Sequence, residues 1–189
     1  MAKLTAVLDA NVLYPAPMRD LLLRLASAEL FNPYWTEQIH DEWMNAVLRD
    51  RPDISVEKLR RTRQLMDTHF PGAIVEGHQP LIERLELPDP HDRHVLAAAI
   101  RSGAGVIVTM NLKHFPGPVL EKLNVRAQHS DDFVCQLIEL DAAAVESAVR
   151  RQRADLKNPV VSVGNFLETL SQQGLKKAVA RLRASAERL

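Results

Sequence analysis

The stretch LPDPHDRHVLAAAIRSGAGVIVTMN, residues 87–111, carries two different hydrophobic patterns back to back. Pro88, Asp89 and Pro90 form a turn, and a helix then starts near Asp92 and ends at Gly103, a residue suited to a left-handed helix stop. Its Ala-rich face implies tight burial. GVIVTMN at 105–111 follows as a β-branched apolar run without polar alternation, the pattern of a strand covered on both faces. A helix leading into such a strand implies a parallel sheet.

Towards the N-terminus, TAVLD at 5–9 is a second buried strand, this one ending in a carboxylate. Pro15 and Pro17 punctuate the turn after it, and MRDLLLRLASAE repeats Leu21, Leu22, Leu25 and Ala28 at helical spacing. PYWTEQIHDEWMNAVL contains a helix capped by Thr36, with Ile39, Trp43 and Val47 on one side. SVEKLRRTRQLMDTHF is a further helix, capped by Ser55 and stopped at Pro71-Gly72; AIVEG at 73–77 is a weak strand. Towards the C-terminus, LNVRAQ is a last strand and SDDFVCQLIEL a last helix, with Asp131 and Asp132 as its expected cap. The alternation predicts an α/β protein with helices on both faces of a parallel sheet. Residues 141–189 change to helical-hairpin character, broken at Asn158-Pro159 and Gly174. The expected division is therefore a domain over 1–140 and a C-terminal helical extension over 141–189.

Composition excludes several classes. With 46% apolar and 25% charged residues, the 189-residue chain reads as globular. Its apolar runs, such as VLAAAI at 95–100, fall far short of the roughly 18 residues a membrane span requires. The opening MAKLTAVLDANV lacks the marks of a signal peptide. The single cysteine, Cys135, permits no internal disulfide and reads as inert core; a reducing, cytoplasmic setting is expected. The net charge of zero conceals an asymmetry: residues 1–140 carry 15 Lys/Arg against 19 Asp/Glu, and residues 141–189 carry 9 against 5. An acidic body with a basic tail suits a carboxylate-rich site beside a nucleic-acid contact.

Ligands of open α/β sheets bind outside the carboxyl ends of the strands. Asp9 and Asn111 both sit just past such an end, with Asn11 and Thr109 two residues away from each. Glu42 lies on the Thr36-capped helix, and Asp92 opens the Ala-rich one. Three carboxylates and two amides in one crevice would repel one another unless a cation joined them. Oxygen ligands select a hard ion, Mg²⁺ or Mn²⁺. Such an ion can lower the pKa of an attacking water and offset charge on a leaving oxygen, which is phosphodiester hydrolysis chemistry.

LDANVL, Glu42 on its helix, DRHVLAAAI and IVTMNLKHF, in this order over roughly residues 4–140, resemble the PIN-domain nucleases, especially the VapC-type toxins of bacterial toxin–antitoxin pairs. The ordered set is far more specific than any one motif. The resemblance implies a three-layer α/β/α sandwich around a parallel sheet, Mg²⁺ or Mn²⁺ as cofactor, and endonucleolytic cleavage of RNA. It makes Asp9 the first metal ligand, with Asn11 orienting it, and Glu42 and Asp92 the remaining carboxylates. Asn111 falls where many members carry aspartate, which removes a charge from the side of a second metal, and Thr109 supports the site through its hydroxyl. The tail resembles a C-terminal extension of a subgroup, in which Arg150, Arg151, Lys176 and Lys177 would touch RNA backbone. A homodimer and a small antitoxin partner are implied by the resemblance alone.

Rival readings are weaker. Asp89 competes with Asp92 but, lying between two prolines, reads as a turn or cap. His91 and His94 have H-x-x-H spacing without a third ligand for zinc, and read as surface or capping residues. Trp35 and Trp43 read as packing residues before base-stacking ones. An aspartyl-phosphate phosphatase would need an acid at position 11, where Asn11 stands. A non-toxin RNA-processing nuclease and a catalytically silent RNA-binding scaffold are the alternatives that share the fold.

Overall fold

The computed structural model describes residues 3–189. In chain order its elements are β1 (Thr5–Leu8), α1 (Ala10–Leu13), α2 (Ala16–Ser27), β2 (Asn32–Tyr34), α3 (Glu37–Asp50), α4 (Val56–His69), α5 (Gln79–Ile82), α6 (Arg93–Ser102), β3 (Val106–Thr109), α7 (Gly117–Glu121), β4 (Arg126–His129), α8 (Ser130–Leu140), α9 (Ala142–Asp155), α10 (Val163–Gln172) and α11 (Lys176–Arg183). The strands pair in the order β2-β1-β3-β4, all parallel. Every residue of β3 is buried; because neighbours in a strand face opposite ways, both faces of the sheet are covered. Helix α6 contacts β1, β2 and β3, whereas α2 meets β2 and α8 meets β3 and β4. The result is the expected three-layer α/β/α sandwich.

The connection from β1 leads to one side of the sheet, to β2, and the connection from β3 leads to the other, to β4. The switch point therefore falls between the carboxyl ends of β1 and β3, the position where such sheets open a crevice.

Strand β2 has no counterpart in the sequence reading, which runs from Pro33 directly into the α3 helix. It is three residues long and centred on a proline, so no periodicity can announce it. Pro33 is tolerable because β2 is an edge strand and needs no donor on its outer side. The weak strand expected at 73–77 is a single bridge, Ile74 to Trp35, at that edge. Trp35 and Trp43 are fully buried in the core.

The last three helices, α9 to α11, pack onto the body. Helix α9 lies along α2, where the Gln152 amide donates to the Pro17 carbonyl at 2.8 Å, and α11 lies along α8. Asp131 corrects the sequence reading. The residue that caps α8 is His129, which accepts from the Asp131 amide. The Asp131 carboxylate, 5% exposed, instead accepts from the Lys177 and Ala178 amides, both at 2.8 Å, and so caps α11. Caps across a long sequence separation are invisible to local patterns. Among the described residues no helix is long and apolar enough to cross a membrane.

Replacing Asp131 strands two buried amides at once. Asp131→Ala should cost about 2–3 kcal/mol in urea unfolding, at the upper end for a lost cap. Amide exchange should accelerate at Lys177 and Ala178, while Asp132→Ala should stay close to neutral.

Candidate metal centre

Asp9 is where the first strand stops. Its amide still donates to the Val108 carbonyl at 3.1 Å, the last rung of the β1–β3 ladder, and its side chain caps α1 through the Ala10 amide at 2.7 Å. The carboxylate is 4% exposed. Its Oδ2 accepts from the Thr109 hydroxyl at 2.7 Å and from Asn11 Nδ2 at 2.6 Å. Thr109 Oγ1 in turn accepts from Asn11 Nδ2 and the Asn111 amide, both at 3.0 Å, and Asn11 Oδ1 accepts from the Met110 amide at 2.9 Å. Strand ends β1 and β3 are thereby laced together through side chains that the sequence placed at the same crevice.

Two further acids act on Asp9. Burial pushes its carboxyl up to about 6, and the charges of Asp92 and Glu42 add to the rise; the bonds from Thr109 and Ala10 oppose it. Asp92 stands at the start of α6, with Oδ2 at 2.6 Å from His114 Nδ1. Glu42, half-buried on α3, has its Oε1 at 2.9 Å from His94 Nε2 and 3.1 Å from Gln38 Nε2. Among the described residues no Lys or Arg lies within ion-pair distance of Asp9, Glu42 or Asp92. Asn111 is exposed at the mouth, and its side chain caps nothing.

Histidine is where sequence reasoning fell short. His94, expected at the surface or in a cap, is 3% exposed and faces Glu42. His114, to which the sequence analysis assigns no role, places its Nδ1 2.6 Å from Asp92 and 3.8 Å from Asp89. Asp89 is a cap, as expected, accepting from the His91 amide at 2.9 Å. The ligand atoms of Asp89, Asp92 and His114 lie within 4.8 Å of one another, close enough to share a cation; this is the one such group among the described residues, and it includes neither Asp9 nor Glu42. The H-F after Asn111-Leu112-Lys113 was the available signal, since a short 3₁₀ turn there returns position 114 to the crevice.

Acids from three separate elements, one of them almost sealed from water, without basic counter-charge, suit a hard divalent cation; the donor set fits Mg²⁺ or Mn²⁺. Fold and site together thus define a parallel α/β protein with an acidic centre at the switch point of its sheet. The chain belongs to the PIN domain family, whose profile matches residues 5–113, more than half its length. A second profile, the VapC50 C-terminal domain, matches residues 130–184 and so takes in α8 as well as the later helices. The provisionally assigned ribonuclease VapC50 of Mycobacterium tuberculosis is 38% identical over 98 residues, and the alignment spans about half of each protein, 52% of this chain and 55% of that one. The pairing of these two domains is VapC-type. No solved structure matches the chain.

In metal-free protein, folded Asp9 keeps its proton up to about 6, against 3.8 for an ordinary aspartate. The folded state then binds more protons than the unfolded state across that window, so ionisation of Asp9 costs stability as pH rises through it, about 3 kcal/mol in full. Asp9→Asn lacks this ionisation. In EDTA, the stability of wild type minus that of Asp9→Asn should fall by about 2–3 kcal/mol between pH 4 and pH 7.5; a flat difference would mean that Asp9 is not desolvated.

Proposed function

We propose that this chain is a metal-dependent endoribonuclease, the toxin of a toxin–antitoxin pair, with Asp9, Glu42 and Asp92 holding Mg²⁺ or Mn²⁺. The observation that carries this reading is a buried Asp9 carboxylate at the switch-point crevice, near enough to Asp92 and Glu42 for their charges to raise it, and with no Lys or Arg paired to it among the described residues. A divalent ion bound there supplies charge for a phosphodiester and favours ionisation of an attacking water. The protein's own contribution is positional. Thr109 and Asn11 fix Asp9 by short hydrogen bonds, so the carboxylate needs no rearrangement to meet a cation. His114 steadies Asp92, and Asn111, exposed at the mouth, offers an uncharged amide to an anionic backbone.

The substrate is RNA, whether tRNA, rRNA or mRNA. Arg150 and Arg151 on α9 and Lys176 and Lys177 on α11 are all exposed and form the proposed backbone grip. They are not equally free: Lys177 Nζ is 2.6 Å from Asp132, and Arg150 donates to the Arg188 carbonyl at 3.4 Å. Arg151 lines a cavity between α2 and α9 together with Arg24, Ser27 and His69. Residues 1–140 are the nuclease unit in this reading and 141–189 its extension. A homodimer, an antitoxin partner and a cytoplasmic location complete it; these rest on the VapC-type domain pairing.

Purified protein should cut total cellular RNA into discrete fragments with Mg²⁺ or Mn²⁺ and not with EDTA. Asp9→Asn and Asp92→Asn should remain folded and lose cleavage by roughly a hundredfold or more, beyond the loss expected of a residue that merely orients a ligand. A folded, antitoxin-free wild type that cuts no RNA would overturn the enzyme reading in favour of a silent scaffold. In RNA binding, Arg151→Ala and Lys176→Ala should each lower the slope of log affinity against log salt by about one, whereas Lys177→Ala should change it less.

A further inference from the structure

Glu42 is the one carboxylate of the site that stands on a water-facing helix, with a side chain 38% exposed. A glutamate in that setting samples several rotamers, and holding it for a cation requires a partner. Two side chains converge on a single oxygen: Gln38 Nε2 donates to Oε1 at 3.1 Å, and His94 Nε2 stands 2.9 Å from it. Oε2 takes no hydrogen bond among the described residues.

His94 is well built for this purpose. It lies in the first turn of α6, two residues after Asp92, and the residues that follow it, Val95 to Ala99, are fully buried against the sheet. His94 Nε2 and Glu42 Oε1 stand in ion-pair contact, and an ionised carboxylate can only accept there. The opposite nitrogen, Nδ1, is buried without a partner, and so is Nδ1 of the neighbouring, 4% exposed His78, whose ring burial and His94 together hold below the ordinary histidine range. Among the described residues the Glu42 contact is the polar contact that the His94 ring makes.

We propose that His94 is a positioning residue: it fixes Oε1 of Glu42 so that Oε2 is presented to the metal, and it thereby ties two of the three carboxylates, Asp92 directly and Glu42 through the imidazole, to the single rigid helix α6. The inference rests on the reading of Asp9, Glu42 and Asp92 as the metal-holding set.

The test is Mn²⁺ affinity by calorimetry on the full chain. His94→Leu keeps an apolar side chain of similar reach and leaves Glu42 solvated, so the fold should survive with a melting temperature within a few degrees of wild type. Its Kd for Mn²⁺ should rise about 10- to 100-fold, the usual loss for a group that orients a metal ligand. His94→Gln returns an N–H near the Nε2 position and should recover most of that loss, which a purely space-filling role would not predict. Made in a Glu42→Gln background, His94→Leu should add nothing, since the two act through one contact. Equal affinities for wild type and His94→Leu, or additive losses in the double variant, would overturn the role of His94 while leaving the metal site standing. No Mn²⁺ binding by the wild type would overturn both.

Discussion

A carboxylate removed from water at the point where the sheet changes direction is the constraint on which this molecule turns. Asp9 occupies the last rung between β1 and β3, and its amide is part of the sheet while its side chain is already outside it. Burying that charge is unfavourable, and the structure offsets the cost only in part, through the Ala10 amide, the Thr109 hydroxyl and Asn11. Thr109 has a double duty: its hydroxyl donates to Asp9 and accepts from Asn11 and Asn111, so one side chain joins both strand ends. What remains is a centre at which Asp92 and Glu42 add to the repulsion, histidines are the only basic side chains in contact, and no Lys or Arg is paired among the described residues. Its architecture is specified by charge as much as by packing.

The second lever is α6. Its run of alanines reads, in isolation, as good helix propensity and little more. Packed against β1, β2 and β3, the small side chains let the helix backbone approach the sheet closely and allow little rotation or sliding. The polar residues of its first turns inherit that rigidity. Asp92 is therefore aimed by core packing several residues further along the chain, and His94 reaches from the same turn to α3. The site borrows its precision from the most apolar part of the fold.

This division also explains which features were legible beforehand. Asp9, Asn11, Thr109 and Asn111 could be placed together because a rule of topology, strand ends at a switch point, acts on residues whose strands are strongly patterned. Glu42 and Asp92 needed the ordered set of motifs, since a helix carboxylate carries no local sign of where it points. The histidines could not be read at all. The partner of His94 lies on α3 and that of His114 on the turn before α6, and both pairings exist only once the sheet has assembled. Asp131 was misread for a related reason: a carboxylate in the first turn of a helix is the usual cap of that helix, and here a distant helix N-terminus takes it. Strand β2 escaped because three residues around a proline are shorter than any period.

The C-terminal extension meets the body at the same strand end. Gly174 turns with φ of +98°, and a Cβ built there would lie 2.7 Å from Met110 Cε, so the glycine sits against the residue between Thr109 and Asn111. Ser130 Oγ donates to Met110 Sδ at 3.0 Å from the other side, and Asp131, next in the chain, holds the start of α11. Met110 is thus clamped between the start of α8 and the turn before α11, and its own amide donates to Asn11 beside Asp9. Helix α11 buries Ala178, Val179 and Leu182, and α10 buries Phe166, Leu167 and Leu170. A basic arm tethered for contact alone would need none of these. The extension acts as a buttress against α2 and α8, the helices that cover the sheet on that side, and the cations on its outer face are carried in fixed relation to the body.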